Sequence, residues 1–90
     1  MHMKLLILYR PDSEHARAVD EFSHEFERTH VGKKVELMNL NTREGAALAS
    51  LYDIVRYPAI LATTDDGQLL QHWQGEQLPL MNEVAAYASL

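Results

Sequence analysis

An apolar run near the start of the chain, Lys4-Leu5-Leu6-Ile7-Leu8-Tyr9, constrains the fold more than any other feature. The run has the length of one strand and is apolar on both alternating faces, which is typical of a strand covered from both sides. A chain of 90 residues has material for a single core. We therefore predict one domain over residues 1–90, built around a central strand.

A helix and a second strand are predicted to follow this run. Pro11, Asp12 and Ser13 supply a helix start, because Asp and Ser side chains accept the unpaired N–H groups of a first turn. The helix continues to about Thr29, and an alternating segment at residues 35–40 indicates a strand. Strand, helix and strand then form a right-handed parallel crossover. The buried stripe of the helix is predicted to consist of Ala16, Val19, Phe22 and Phe26.

Two more helices are predicted in the second half of the chain. Asn41, followed three residues later by Glu44, resembles a capping box for a short helix that ends near Asp53. Pro79 suits the first turn of the last helix. One face of that helix is predicted to consist of Leu80, Val84 and Tyr87.

A hairpin lies between these helices. The segments 59–63 and 69–73 are strand-like, and the loop between them contains Asp66-Gly67, a strong turn signal. They predict an antiparallel pair. The complete order is β-α-β-α-β-β-α, so the predicted fold class is α/β with a mixed four-stranded sheet and three helices.

Two segments carry a resemblance to a known superfamily. Tyr52-Asp53-Ile54-Val55-Arg56-Tyr57-Pro58 resembles the proline loop of thioredoxins, and Tyr9-Arg10-Pro11-Asp12-Ser13-Glu14-His15-Ala16 resembles the redox loop of thioredoxins and glutaredoxins. In the second segment, Ser13 and Ala16 occupy the two cysteine places. The resemblance covers about residues 4–90 and implies a thioredoxin-like fold with a cis peptide bond before Pro58.

The chemistry of that superfamily is missing, because the chain contains no cysteine. A thiolate is the nucleophile in disulfide exchange, and a serine hydroxyl neither ionises near neutral pH nor forms a reducible bond. Disulfide staples and thiolate metal sites are excluded as well. We predict a redox-inactive protein without thiol-disulfide oxidoreductase activity, catalytic residues, metal or cofactor.

Binding is a function that survives the loss of the thiols. The resemblance implies that the backbone of Tyr57 pairs with an extended substrate segment, and this contact needs no cysteine. We therefore predict a protein or peptide partner at the proline loop and the start of the first helix. The predicted binding residues are Tyr9, Arg10, Pro11, Asp12, Ser13, His15, Arg56, Tyr57 and Pro58.

Charged and aromatic side chains of these loops leave two interpretations open. Arg10 and Arg56 lie where the positive end of the first helix attracts anions, or they form surface ion pairs with Asp12 and Glu14. A second set of side chains forms an aromatic lip of a binding site, or at least two of its members pack in the core. These aromatic residues are Tyr9, Tyr57 and Trp73.

Ser13 supports an alternative enzyme hypothesis. A serine at this place holds glutathione as its thiolate in some glutathione transferases, which the surrounding segment resembles. The simpler interpretation is that Ser13 or Asp12 caps the helix. The chain also has no room for the helical domain of that family, and it lacks the acidic-serine pair of that family after Leu70. A Ser13–His15 nucleophile pair requires Ser13 to lie outside the helix, since helical residues two apart point about 200° apart.

A third hypothesis is an oligomeric regulatory scaffold, the role of cysteine-free thioredoxin-like clock proteins. The net charge of −5 and the scattered basic residues argue against nucleic acid. No window predicts a membrane span or a signal peptide, so we expect a cytoplasmic protein. Residues 1–3 are expected to be tag-derived or disordered. The oligomeric state stays open.

Overall fold

The computed structural model describes residues 3–30, 32–75 and 77–88. The elements follow the predicted order, and the fold class of a mixed four-stranded sheet with three helices is confirmed. The elements are β1 (Met3–Tyr9), α1 (Ala16–Thr29), β2 (Val35–Asn39), α2 (Arg43–Leu51), β3 (Ala59–Thr64), β4 (Leu69–Gln74) and α3 (Met81–Ala88).

The sheet has the strand order β2-β1-β3-β4. Strand β1 pairs in parallel with β2 and antiparallel with β3, and β3 pairs antiparallel with β4. The central position predicted for β1 is therefore confirmed. Its residues alternate between the two faces of the sheet, so that Ile7 and Leu8 are both fully buried on opposite sides.

Each face of the sheet is covered by its own apolar cluster. Helices α1 and α3 cover one face, and α2 covers the other. The first cluster consists of Leu5, Ile7, Val19, Phe22, Phe26, Ile60, Ala62 and Val84. The second consists of Leu6, Leu8, Leu40, Ala49, Ile54, Ala59 and Leu61. A strand that is apolar on both alternating faces is what this two-sided cover requires.

The helix starts differ from the predicted ones. Helix α1 begins at Ala16, and its N-cap residue His15 makes no capping bond through its side chain. Asp12 and Ser13 lie before it in a turn, so their predicted capping role is wrong. In α2 the cap is Thr42, whose hydroxyl oxygen accepts the N–H of Gly45 at 3.1 Å. The helix cap therefore lies one residue later than predicted, and the capping box of Asn41 with Glu44 is wrong, because the residue three positions after Thr42 is Gly45.

The last helix also begins later than predicted. Pro79 precedes α3, and Leu80 is 67% exposed because it lies before the first helical residue. Val84 does face the core, where it is fully buried. Met3 is the first residue of β1 and is partly buried, so it is ordered. Residues 1 and 2 lie outside the described residues.

None of the helices in the described ranges is both long enough and apolar enough to span a membrane.

Candidate functional site

Strand pairing brings two loops to the same end of the sheet. Because β1 and β3 run antiparallel with Leu8 opposite Ala59, the end of β1 lies beside the start of β3. The β1–α1 loop (residues 10–15) and the proline loop (residues 54–58) are therefore neighbours. These two loops contain eight of the nine predicted binding residues, and the ninth, Tyr9, is the last residue of β1.

The polar groups of the β1–α1 loop bond to one another. The backbone N–H of Arg10 donates to Nε2 of His15 at 3.1 Å. The backbone carbonyl of Arg10 accepts the Ser13 hydroxyl at 2.7 Å and the Ser13 N–H at 3.1 Å. The loop is thus closed on itself by Ser13 and His15.

This closure bears on the chemistry considered for the loop. Ser13 does lie outside α1, but its hydroxyl donates to a backbone carbonyl, and the His15 nitrogen accepts a different N–H. A nucleophile–base hydrogen bond is absent between them. Within residues 3–30, 32–75 and 77–88, no three His, Cys, Asp or Glu side chains group closely enough to hold a metal ion.

The proline loop is held by a side chain from the neighbouring strand. Oε1 of Gln74, at the end of β4, accepts the backbone N–H of Val55 at 3.1 Å and that of Arg56 at 3.2 Å. A single amide oxygen therefore satisfies two successive donors. The start of the loop is fixed as well, because the N–H of Ile54 donates to the carbonyl of Ala49 in α2 at 2.8 Å.

The Tyr57–Pro58 peptide bond in this loop is cis. The carbonyl of Pro58 accepts the N–H of Gly75 at 3.1 Å, and the Tyr57 hydroxyl donates to the carbonyl of Ile54 at 2.9 Å. The backbone N–H and C=O of Tyr57 itself have no hydrogen-bond partner among the described residues. The Tyr57 N–H is the one backbone donor of residues 54–58 without a partner among the described residues, whereas its C=O shares that state with the carbonyls of Val55 and Arg56.

The two arginines flank Tyr57. Cζ of Arg10 lies 5.8 Å from the centre of the Tyr57 ring, a cation–π distance. The Arg56 guanidinium lies against Gly75, where an added Cβ would come within 3.0 Å of it. Neither arginine forms an ion pair with a described carboxylate, and Gly75 has a φ of +113°, which favours glycine. The surface ion pairs considered for Arg10 are therefore not formed with Asp12 or Glu14.

Tyr57 also separates two surface cavities. The Asp53 cleft has a volume of about 360 Å³ and lies on the α2 side. The Arg56 cleft has a volume of about 460 Å³. The Asp53 cleft is lined by residues that include Arg10, Leu40, Ala49, Ser50, Asp53, Ile54 and Tyr57. The Arg56 cleft is lined by Arg56, Tyr57, Gly75 and Gln77. An extended segment crossing Tyr57 would meet both.

The three aromatic residues considered for a lip do not lie together. Trp73 packs edge-on against Tyr87 of α3, with ring centres 5.6 Å apart, and belongs with Tyr9 to the cluster on the α1 and α3 face. Tyr57 packs against the cluster on the other face. All three are thus partly buried against a core cluster, and Tyr57 alone also belongs to the proline loop.

Resolved pKa shifts belong to surface contacts away from the loops. The hydrogen bond from Arg28 lowers the pKa of the Glu25 carboxyl, and the same contact raises the pKa of Arg28. The hydroxyl of Thr64 lowers the pKa of Asp66 in the turn between β3 and β4. These shifts report on an ion pair within α1 and on turn geometry.

Sequence reasoning missed two residues of this surface. No sequence pattern indicated a role for Gln74, because glutamine is common at the end of a strand. Asp53 did carry a signal: it follows the C-terminus of α2, where the helix dipole favours cations over carboxylates. It also has a φ of +55°, which is uncommon outside glycine.

Comparison with known proteins finds likeness in structure alone. No protein-family model matches the sequence, and no curated protein matches it either. Oxidised thioredoxin from Plasmodium falciparum superposes with a TM-score of 0.76 at 11% identity, over 97% of this chain and 82% of that one. The germline-specific thioredoxin Deadhead from Drosophila melanogaster gives 0.73 at 12% identity, over 98% and 79% of the two chains.

Mitochondrial thioredoxin 3 from Saccharomyces cerevisiae agrees with these two, with a TM-score of 0.71 at 10% identity over 97% of this chain and 76% of that one. At such identities the likeness shows the fold and leaves activity and partners to other arguments. The thioredoxin-like fold implied by the sequence resemblance is confirmed, as is the absence of both cysteines.

Proposed function

From a thioredoxin-like fold that carries no thiol, we propose that this protein is a redox-inactive binding module that holds an extended peptide segment of a partner protein. The observation that carries the proposal is the open N–H and C=O of Tyr57 among the described residues. A strand that pairs with one residue uses this donor and this acceptor together.

Rigidity of the proline loop favours binding at Tyr57. Gln74 and Gly75 hold the loop through three hydrogen bonds, of which two go to one side-chain oxygen. A loop that is already fixed loses little conformational entropy when a ligand orders it, so more of the contact energy appears as affinity.

The residues around Tyr57 match the chemistry of a protein interface. Arg10 and Arg56 make no ion pair with a described carboxylate, and Val55 exposes 76% of its surface beside them. Tyrosine and arginine are enriched in residues that contribute most to protein binding. Catalysis by disulfide exchange is ruled out chemically, because no residue of the chain can supply a thiolate.

The glutathione hypothesis receives less support. The Ser13 hydroxyl donates its proton to the Arg10 carbonyl at 2.7 Å, so holding a thiolate would require breaking that bond. Reduced glutathione is accordingly expected to leave the NMR amide shifts of residues 10–15 unchanged. An oligomeric scaffold would predict self-association, which analytical ultracentrifugation measures directly.

The proposal is tested by selecting short random linear peptides, displayed on phage, for binding to the protein. Selected peptides should shift the NMR amide signal of Tyr57, because a new hydrogen bond forms there. N-methylation of one peptide residue at a time should abolish binding at the residue that donates to Tyr57, since a methylated nitrogen has no proton to give. Methylation elsewhere on the solvent side should be tolerated.

Two outcomes would overturn the proposal. If no peptide is enriched over selections against an unrelated protein, there is no peptide site. If enriched peptides shift residues of α1 and α3 and leave Tyr57 unchanged, the partner binds on the other face of the sheet.

A further inference from the structure

The Asp53 cleft combines an apolar floor with two opposite charges at its rim. Leu40, Ala49 and Ile54 belong to the buried cluster on this face and form part of the lining. Arg10 and Asp53 line the same cleft and are both exposed. A volume of about 360 Å³ lies in the range of small-molecule sites and exceeds the volume of one side chain.

The two charges do not neutralise each other. Arg10 and Asp53 form no ion pair, because no nitrogen of one lies within 4.0 Å of an oxygen of the other. The Arg10 guanidinium is held over the Tyr57 ring instead. The lining of the cleft therefore includes a cationic donor group and an anionic acceptor group that are not paired with each other.

Asp53 ends α2 in a left-handed conformation, with a φ of +55°. Its N–H donates to the carbonyl of Ser50 at 3.3 Å, and the N–H of Ile54 donates to that of Ala49 at 2.8 Å, which are the hydrogen bonds of a Schellman motif. Glycine is preferred at this position, and Asp is among the other residues that adopt it. The carboxylate also follows the C-terminus of α2, where the helix dipole disfavours an anion.

We infer that the Asp53 cleft is a subsite for a carboxamide side chain, glutamine or asparagine, of the bound peptide. This inference rests on the proposed function. A carboxamide presents both complementary groups: its C=O accepts from the Arg10 guanidinium, and its NH₂ donates to the Asp53 carboxylate. A carboxylate would meet repulsion from Asp53, and an ammonium group would meet repulsion from Arg10.

The position of Tyr57 connects this subsite to the peptide. Tyr57 lines both clefts, so a strand paired with its backbone lies next to each of them. Successive side chains of a strand point to opposite faces. One side chain near the paired residue therefore enters the Asp53 cleft, and its neighbour turns toward the Arg56 cleft.

The experiment uses the phage-selected peptides. One position next to the residue that pairs with Tyr57 should be enriched in glutamine or asparagine. Synthetic peptides in which that residue is changed to glutamate, lysine or leucine should each bind about five-fold more weakly by isothermal titration calorimetry, the effect of about one net hydrogen bond.

Reciprocal variants of the protein sharpen the test. Asp53→Asn removes the repulsion of glutamate and should let the glutamate peptide bind as well as the glutamine peptide. Arg10→Gln removes the repulsion of lysine and should let the lysine peptide bind as well as the glutamine peptide. Asp53→Gly should weaken the glutamine peptide while raising the melting temperature, so its loss of binding cannot come from unfolding.

Specific results would overturn the inference. Equal affinity of the leucine and glutamine peptides would mean that the apolar floor alone is used, and tighter binding of glutamate or lysine would mean that a single charge dominates. If peptides bind with the N-methylation signature at Tyr57 but show no carboxamide preference, this inference fails and the proposed function stands. If no peptide binds, both fail.

Discussion

The β1–α1 loop and the proline loop lie side by side but use their polar groups in opposite ways. In the β1–α1 loop, His15 and Ser13 bond to the backbone of Arg10. The proline loop is held from outside by Gln74 and leaves the N–H and C=O of Tyr57 open among the described residues. We call the β1–α1 loop the closed loop, because its polar groups bond to one another. We call the proline loop the open loop, because it is held rigid but leaves the Tyr57 groups unpaired among the described residues.

Under the proposed function, this difference explains how a thioredoxin-like fold without thiols would keep a binding surface. The resemblance assigns one cysteine place to Ser13 in the closed loop and the other to Ala16, the first residue of α1. The bracing of the open loop comes from β4 and α2, which the loss of cysteines does not touch. The cysteine places and the bracing of the proline loop therefore lie in separate parts of the molecule, although Arg10 of the β1–α1 loop lines the Asp53 cleft.

Gly45→Ala should cause the largest loss of stability and should disturb the proline loop. A Cβ at position 45 would lie 2.1 Å from the backbone oxygen of Asn39, so α2 must shift away from the end of β2. Because the steric neighbour is backbone, we expect a loss of about 3 kcal/mol or more in urea unfolding. Ile54 follows α2, so the amide signals of the proline loop should move as well.

The control for this variant is Ala47→Gly at an exposed position of the same helix, which should cost only about 1 kcal/mol through helix propensity. Equal effects of the two variants would contradict the close packing of Gly45.

Gln74→Ala tests whether peptide affinity depends on the bracing of the proline loop. It removes the acceptor of the Val55 and Arg56 N–H groups and should cost about 1 to 2 kcal/mol of unfolding free energy. Peptide affinity should fall about ten-fold, because the loop is no longer fixed before binding. Gln74→Glu keeps an accepting oxygen and should restore most of the affinity. Full affinity in Gln74→Ala would show that the bracing is irrelevant to binding.

His15→Ala should affect the closed loop alone. It removes the acceptor of the Arg10 N–H, and water replaces it because the loop is exposed, so the cost should be about 0.5 to 1 kcal/mol. Hydrogen exchange at the Arg10 amide should accelerate, while peptide affinity should change less than about two-fold, which is near the limit of measurable coupling. His24→Ala on the exposed face of α1 serves as the control. A large loss of affinity would mean that the two loops are coupled.

Thr64→Val should have the smallest effect and lies at the opposite end of the sheet. The Thr64 hydroxyl lowers the pKa of Asp66 below its ordinary value of 3.8, so the ionised carboxylate stabilises the folded turn. That stability is present above the ordinary value and is lost as pH falls through the lowered pKa. In Thr64→Val the NMR titration of Asp66 should move up toward 3.8, whereas Thr64→Ser should keep the lowered value. An unchanged titration in the valine variant would exclude the hydroxyl as the cause.

Element order could be predicted from the sequence because it depends on apolar periodicity, which acts over whole strands and helices. The residues at which helices begin and end were less predictable. Several residues that can cap stand next to one another, as at Asn41 and Thr42, and side-chain orientation decides which one bonds. In the same way, Ser13 has the chemistry of a cap but bonds to the Arg10 carbonyl.

The proximity of the two candidate loops could be predicted, but the detail of their contacts could not. The resemblance brought together Arg10 and Tyr57, and strand pairing of Leu8 with Ala59 explains why they meet. The Asp53 cleft was not predicted, because a cavity depends on how α2 leans on the sheet, and no local pattern encodes that packing.

The edge-on contact between Trp73 and Tyr87 gives this protein a built-in optical probe. Trp73 is the sole tryptophan, and it lies next to Gln74 but on the opposite face of β4. Its fluorescence is therefore expected to report on the docking of α3 on the sheet. A ligand at the proline loop is expected to leave that fluorescence unchanged. Detachment of the last helix could be followed by emission alone, without a label, while binding is monitored separately.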